Sequence, residues 1–313
     1  MSYLKFNAVI YSNNDDGTFW PGFVEVPEDK IFDDTNNNSD SNDENNKGVG
    51  EEGQRIMTAL ILISILLAAF FLGQIFLYIL LFIVSLIATK EWHDIFDYDN
   101  VIPYPLLLYG GLAPSLVIYF FDPQKLYVPL LIFPLGLFLY LTYTSNSGAY
   151  DFIGSAYIFH TWFGVGVASI AYVLKSVDST FTLFTILCVA LSDSVAYEIG
   201  RRFGTRKLAP TISPNKTVEG FVAALLIGTI AYTIILNIFS PLSLSLYIDI
   251  FISLIFIIVG VLGDLFQSKI KRSLNIKDSS GLLPGHGGVL DRLDSYLFCF
   301  PFITIVLMLT EIF

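Results

Sequence analysis

Carboxylates inside otherwise apolar stretches are the first chemical feature of the sequence. Asp193 lies in CVALSDSVAYEIG and Asp264 in IIVGVLGDLFQS, each among residues typical of a membrane span. An ionisable group in such a span costs at least about 2.5–3.5 kcal/mol on insertion, so it needs a partner, a water-filled cavity or a function. Gly260 and Gly263, which precede Asp264, favour a close helix contact. We therefore expect these carboxylates to belong to a site rather than to a simple helix end.

A dense polar segment follows Asp264 and runs from Ser268 to Ser295. It combines Lys and Arg side chains with several Asp residues. Asp291 and Asp294 share one helix face by their spacing, and with Asp264 they would bring their carboxylates to one mouth. Carboxylate oxygens beside Lys and Arg fit a polyphosphate bound as its magnesium complex, with the metal on Asp and the phosphates on the cations. The cations alone would also fit a patch that binds lipid headgroups.

The turn string Leu-Pro-Gly-His-Gly-Gly occupies the middle of this segment. Gly285, Gly287 and Gly288 let backbone N–H groups approach an anion, with His286 held between them. A zinc site is excluded because the histidines of the chain share no ligand spacing; they are His93, His160 and His286.

A second charged stretch, RRFGTRKLAPTISPNKTVEGF, runs from Arg201 to Phe221. Lys216 and Thr217 do not form a Walker A element, because the glycine scaffold that precedes Lys in that motif is missing. One hydroxyl near the next helix start is expected to act only as its N-cap. The chain also lacks the G-x-S-x-G elbow of serine hydrolases.

Composition places these residues in a membrane. Of 313 residues, 54% are hydrophobic and only 14% are charged, with a mean hydropathy of +0.65, which excludes a soluble globular protein. Two cysteines in apolar runs exclude a disulfide scaffold. Residues 1–55 hold 12 acidic and 4 basic residues, so most of the net charge of −11 belongs to this tail. Its Asn-rich part predicts a largely disordered cytosolic tail, followed by a transmembrane domain over 56–313.

The fold class we predict is an all-α, polytopic membrane protein with about nine transmembrane helices. Cutting the apolar region at charges, Pro and Gly, with about 17 to 25 apolar residues per span, yields the ranges below. The first two ranges form either a tight hairpin or one overlong helix. The predicted spans are 56–72, 73–89, 101–121, 126–143, 152–174, 180–200, 218–239, 247–266 and 292–313.

Charge counting predicts the orientation. With nine spans and an inside N-terminus, 15 of the 17 basic residues lie on the inner side, and only Lys125 and Lys175 lie outside. The segments 201–217 and 267–291 are separated by two spans, so they share one face. We expect a site that faces the cytosol, in a bacterial cell membrane or an organellar membrane, and no nucleic-acid partner.

The C-terminal motif is long and specific. Residues from Ser268 to Asp294 match S-x-x-K-R-x(4)-K-D-x(5)-P-x-H-G-G-x-x-D-R-x-D, and in this pattern the chain resembles the phosphatidate cytidylyltransferase (CDP-diacylglycerol synthase) family. D-x-x-A-Y-x-x-G-R from Asp193 and I-S-P-x-K-T-x-E-G from Ile212 are also similar to that family. The resemblance implies a nucleotidyltransferase in phospholipid biosynthesis, which converts CTP and phosphatidate to CDP-diacylglycerol and diphosphate. It also implies magnesium dependence and a helical homodimer in the bilayer.

Roles for individual residues follow from the resemblance. It implies that Asp264 and Asp291 are ligands of Mg²⁺, with a two-metal site possible, and that Asp294 orients Arg292 or joins through water. Lys271, Arg272, Lys277 and Arg292 are expected to hold CTP phosphates or the lipid headgroup, and His286 with Gly287 the leaving diphosphate. Lys216 with Ser213 is the expected phosphate contact of the second stretch. The remaining expected substrate-binding residues are Asp193, Arg201, Glu219, Ser268, Asp278 and Gly288.

Two alternatives stay open at this point. A CTP-dependent kinase of a polyprenol or another lipid alcohol would share the polyphosphate site but transfer the γ-phosphate. An ion-coupled transporter would use the intramembrane carboxylates as a path, although the polar residues crowd one mouth and the predicted outer loops are nearly uncharged.

Overall fold

Helices that could cross a membrane dominate the computed structural model, which describes residues 41–96, 102–121, 127–144, 152–240, 242 and 244–312. Within these ranges, six helices have the length and apolar composition of a span. Three shorter apolar helical segments accompany them, Ile56–Leu72, Tyr104–Phe120 and Val128–Tyr143. Each predicted span corresponds to one of these segments, so the predicted all-α polytopic class is confirmed, and the chain is a multi-pass membrane protein.

The first two predicted spans form a hairpin. Helices α1 (Ser41–Leu72) and α2 (Gln74–Ile95) are separated by a single residue, Gly73. Gly73 has φ +111°, a value that L side chains rarely adopt. The start of the apolar part of α1 and the end of α2 lie on the same side. There, Thr58 donates to the carbonyl of Pro284 and Glu91 contacts Val289. One overlong helix is therefore excluded.

The predicted tail falls mostly outside the described residues, since nothing is described before Ser41. From Ser41 onward the chain is helical, whereas we expected disorder up to residue 53. Helix propagation costs little once a long apolar helix exists, which gives a physical reason for the earlier start. The division at residue 55 stays a prediction.

The middle of the chain packs three spans closely. They are α3 (Tyr104–Phe120), α4 (Tyr127–Tyr143) and a continuous helix made of α5 (Ile153–Ile158), a π-helical turn (Phe159–Gly164) and α6 (Val165–Ser176). In the π-helical turn, Nδ1 of His160 donates to the carbonyl of Gly110 over 2.9 Å, and its ring stacks on Phe133. A Cβ on Gly164 would lie 2.3 Å from the same carbonyl, so only glycine allows this approach. His160 is thus a structural residue.

The C-terminal half carries the charged segments. It consists of α7 (Ser179–Phe203), strands β1 (Lys207–Ala209) and β2 (Ser213–Thr217), α8 (Val218–Phe239), α9 (Leu246–Ser273), α10 (Leu290–Leu293) and α11 (Tyr296–Ile312). The strands form one antiparallel hairpin. Helices α8 and α9 are in contact where the rings of Tyr232 and Phe256 stack 3.8 Å apart.

Candidate active site

Two charged loops meet at one end of the helices. The β-hairpin approaches α9 through Lys216, which pairs with Asp264. Arg272, near the end of α9, donates from Nε to the carbonyl of Ile212 over 3.4 Å. Segments 201–217 and 267–291 therefore lie on the same face, as predicted, and Arg272 contacts Ile212 directly.

Three carboxylates from separate parts of the chain lie near one another and near Lys216. Asp193 of α7, Asp264 of α9 and Asp294, just before α11, lie within electrostatic range of one another, and Arg292 lies in the same range of Asp193 and Asp294. We call Asp193, Asp264 and Asp294 the acidic cluster. Repulsion among these carboxylates favours a cation or a proton among them.

Small residues allow this approach of the helices. A Cβ on Gly263 would lie 2.5 Å from the carbonyl oxygen of Asp294, and one on Gly260 would lie 3.0 Å from Sγ of Cys299. The glycines before Asp264 thus bring α9 against α11, as we expected from their positions. Asp264 remains 28% exposed at its side chain, and Ser268 donates to its Oδ1 over 3.2 Å. Asp264 is therefore both held and accessible.

Asp291 lies in a very different environment. It is buried, and its Oδ1 accepts hydrogen bonds from Lys271 at 2.7 Å, the hydroxyl of Ser279 at 2.9 Å and the amide of Gln267 at 3.0 Å. Its Oδ2 accepts from the backbone N–H groups of Ser279 at 2.7 Å and Gly288 at 2.9 Å. Both oxygens are occupied by donors from the protein, so in this arrangement Asp291 organises the surrounding chain.

We call residues 279–291 the signature loop. It turns at Gly285 and Gly287, whose φ values of +71° and +77° favour glycine, and Leu283 pairs with Gly287 across the turn. The backbone N–H of His286 donates to the carbonyl of Leu283 over 2.8 Å. The N–H of Gly288 is committed to Asp291, so in this state it is not offered to an anion, which differs from our expectation.

The predicted cations of this region differ in their contacts. Lys271 is paired with Asp291 and is mostly buried, whereas Arg272 bonds backbone carbonyls at the surface. Lys277 and Arg292 are exposed. Asp278, also exposed, lies next to Gly287, where a Cβ would be 3.2 Å from its Oδ1.

The predicted residues around the β-hairpin separate into two groups. Lys216 joins the acidic cluster, and Ser213 lies in the same strand, opposite Ala209. Glu219 binds Thr205 and Arg206 instead, through hydrogen bonds from both backbone N–H groups and both side chains. Arg201 forms an ion pair with Glu198 at 3.8 Å. Thr217 is the N-cap of α8, and its hydroxyl accepts a hydrogen bond from the N–H of Gly220.

Three residues of the site were missed from the sequence. Gln267 and Ser279 bind Asp291, and Glu91 of α2 binds the signature loop from the opposite side. The only signal for Glu91 is an acidic residue at the end of an apolar span. Gln267 and Ser279 have no local signal, because their partner is far along the chain.

The donor chemistry of the acidic cluster fits a divalent cation. Carboxylate oxygens are the ligands that Mg²⁺ prefers, and it usually takes only one or two of them together with water and substrate phosphates. Among the described residues, no three His, Cys, Asp or Glu side chains are placed to hold one ion jointly. A magnesium ion bound here would therefore need oxygens of water and substrate in addition to those of the cluster.

An apolar groove lies beside α11 in the membrane-spanning region. Leu297, Phe298 and Pro301 share one face of α11, and Leu297 is three residues after Asp294 in the chain. They line an open cavity of about 290 Å³ together with residues of the π-helical turn and α6. These residues are Thr161, Trp162 and Val165.

The fold and the site define a polytopic membrane protein with a charged, phosphate-compatible site at one end of its helices. The chain belongs to the cytidylyltransferase family, whose model matches residues 53–310. It is 34% identical to the phosphatidate cytidylyltransferase of Staphylococcus epidermidis over 263 residues, which covers 82% of this chain and 99% of the relative. The enzymes of the same name from Staphylococcus saprophyticus and Staphylococcus aureus are 34% and 33% identical, over 81% of this chain and 98% of each relative.

Proposed function

We propose that the chain catalyses cytidylyl transfer from CTP to phosphatidate, yielding CDP-diacylglycerol and diphosphate. The observation that carries this proposal is the acidic cluster between Lys216 and Arg292, at the end of membrane helices and a few residues before the part of α11 that lines an apolar groove. A nucleotide that carries several negative charges needs such cations, and a lipid substrate needs access from the bilayer. Family membership and the names of the relatives support the same reaction.

The reaction requires no nucleophile from the protein. A phosphate oxygen of phosphatidate attacks the α-phosphorus of CTP, a new P–O bond forms there, and the bond to the β-phosphate oxygen breaks as diphosphate leaves. The protein contributes position and charge. In this proposal Lys216 and Arg292 neutralise phosphate oxygens of the two substrates, and the groove beside α11 takes an acyl chain, which keeps the lipid phosphate near the acidic cluster.

Magnesium is part of this proposal. Asp264 and its neighbours in the acidic cluster would hold Mg²⁺, and bound Mg²⁺ would neutralise charge that develops on the phosphates. Asp291, the other predicted ligand, would have to exchange a protein donor for the ion. Lys271 is the charged donor on it, and its contact is the one that substrate phosphates can replace by attracting the ammonium group.

Two finer features also belong to the proposal. The placement of 15 of 17 cations on one side of the predicted topology supports a site that faces the cytosol. A homodimer in the bilayer is implied by the family resemblance, and the mass of the purified protein in detergent tests it.

The decisive experiment is an assay of purified protein with CTP, Mg²⁺ and phosphatidate. Label in the α-phosphate of CTP should enter the lipid, and label in the γ-phosphate should leave with diphosphate. Lipid labelled only from the γ-phosphate would instead indicate the kinase. Ion flux in proteoliposomes without turnover would indicate the transporter, and the Asp264→Asn variant is the negative control. Family membership disfavours both alternatives.

A further inference from the structure

Glu91 is a buried carboxylate that the proposed reaction does not use. It lies near the end of α2 and is only 5% exposed. Its Oε1 accepts from the hydroxyl of Ser280 at 2.7 Å and from the backbone N–H of Val289 at 2.8 Å, and its Oε2 accepts from the N–H of Leu290 at 2.8 Å. These contacts join segments that are almost 200 positions apart in the chain.

The donors around Glu91 are neutral. Within the described ranges, Glu91 forms no ion pair with Lys, Arg or His. A carboxylate in a buried position needs hydrogen bonds in place of water, and here the signature loop supplies all of those that are seen. The dependence is mutual, because the N–H groups of Val289 and Leu290 at the start of the short helix α10 have no helical partner of their own.

Glu91 also limits the shape of the signature loop. A Cβ on Gly288 would lie 2.8 Å from both carboxylate oxygens of Glu91, and one on Gly287 would lie 2.6 Å from Oδ2 of Asp291. The chain at these glycines thus runs between two carboxylates. Thr58 of α1 adds a third attachment by donating to the carbonyl of Pro284 over 2.9 Å. The α1–α2 hairpin supplies no predicted substrate contact. It binds the loop whose N–H groups at Ser279 and Gly288 donate to Asp291.

We propose that Glu91 is a positioning residue for the transfer reaction. It holds the signature loop so that Asp291, Lys271 and the loop residues that face the nucleotide are set before substrate binds. It does not touch the reacting atoms, since both of its oxygens are occupied by the loop. This inference rests on the proposed function. It assigns the α1–α2 hairpin a role in positioning the signature loop.

The test is Glu91→Gln, compared with Asp94→Asn. Glutamine has nearly the same size but replaces one acceptor oxygen with an NH₂ donor, which would face a backbone N–H. Asp94 lies one turn later on the same helix, and its side chain is 61% exposed, so its variant removes the same charge without touching the loop. Both proteins are purified in detergent, and thermal unfolding, peptide-level amide exchange over 279–291 and steady-state kinetics are measured.

For Glu91→Gln we expect faster exchange in the signature loop and a melting temperature close to that of the parent. We also expect kcat to fall at least ~10-fold, with a raised KM for CTP and an unchanged KM for phosphatidate, because the displaced loop carries His286 and Gly287, the predicted contacts of the CTP phosphates. Asp94→Asn should match the parent in every measurement. Parental exchange and kcat in Glu91→Gln would overturn the proposal, and so would a uniform loss of folded protein with unchanged KM values.

A second variant covers the case in which Glu91→Gln does not fold. Ser280→Ala removes one of the three donors and keeps both backbone contacts, so we expect modestly faster exchange in the loop and a kcat about threefold lower. Parental values for both would overturn the proposal. The exchange measurement needs no substrate, so it also separates the two hypotheses. A parent protein that makes no CDP-diacylglycerol would refute the proposed function. Unchanged amide exchange of the signature loop in the variants would refute the positioning role of Glu91.

Discussion

The signature loop and the acidic cluster use the same side chain, aspartate, in opposite ways. In the loop, Asp291 is buried and accepts five hydrogen bonds from the protein. In the cluster, Asp264 is partly exposed and accepts one hydrogen bond, from the hydroxyl of Ser268. It forms an ion pair with Lys216 and lies near two other carboxylates. Both residues were predicted from the sequence as ligands of Mg²⁺, with nothing to distinguish them.

The difference shows what each carboxylate can do. A carboxylate with all of its acceptor positions filled by fixed donors stabilises one backbone conformation. A carboxylate with free acceptor positions, close to other negative charges, attracts a cation from outside the protein. We therefore expect substitutions in the two regions to reduce activity through different physical causes.

The largest effects are expected for Asp264→Asn and Asp291→Asn. Each should reduce turnover at least ~100-fold, because each removes a charge needed to anchor the metal or the loop around it. The comparison predicts a difference in structure: Asp291→Asn should increase amide exchange in the signature loop, and Asp264→Asn should not. Turnover at increasing Mg²⁺, together with amide exchange, measures both effects.

Near-parental turnover in folded Asp264→Asn protein would refute its place in the metal site. Unchanged loop exchange in Asp291→Asn would show that its five hydrogen bonds are dispensable, and it would remove the distinction between the two regions.

A smaller effect is expected for Lys216→Met. Removing the ammonium group should lower kcat/KM for CTP at least ~10-fold, because a charged contact to phosphate is lost. The same change frees Asp264 from its cation, so half-maximal activity should need less Mg²⁺. A magnesium titration at fixed CTP measures both changes.

Lys207→Met is the matched control for this variant. Lys207 lies in the partner strand of the same hairpin and is exposed, so its variant should behave like the parent. An unchanged magnesium requirement in Lys216→Met would mean that the ion pair does not compete with the metal.

Gly288→Ala should reduce kcat about tenfold, since the added methyl group would press on the carboxylate of Glu91 and displace the loop. Gly281→Ala provides the control within the same loop, because a Cβ there would meet nothing within 4 Å. Steady-state kinetics of the two proteins should differ accordingly. Equal activity of both variants would show that the loop has more space than the structure indicates.

The smallest effect is expected for deletion of residues 1–50. The family model begins at residue 53, and the deleted part has no site-like group of residues, so turnover should stay within about twofold of the parent. Activity of purified protein in detergent is the measurement. Lost activity in a protein that still folds would reveal a regulatory element in the deleted segment.

Several features were predictable because they depend on local chemistry. Apolar runs bounded by residues such as Gly73 and Lys90 predicted spans that match the helices, since lipid requires each segment to satisfy its own backbone. Gly260 and Gly263 predicted a close helix contact, and the structure shows that its partner is α11. The β-hairpin at 207–217 was not predicted, because its two short strands have no clear alternation and depend on α7 and α8 for support.

The sequence by itself determined the class of protein, the apolar spans other than the hairpin at 56–89, the common face of the two charged segments and the family. These follow from hydropathy, charge and motif spacing, which are properties of neighbouring residues. Only the tertiary structure decided that Glu91 binds the signature loop and that Asp291 is filled by protein donors while Asp264 stays open. The reason is physical: the free acceptor positions of a carboxylate depend on donors brought by distant segments, and no local pattern records which segments meet.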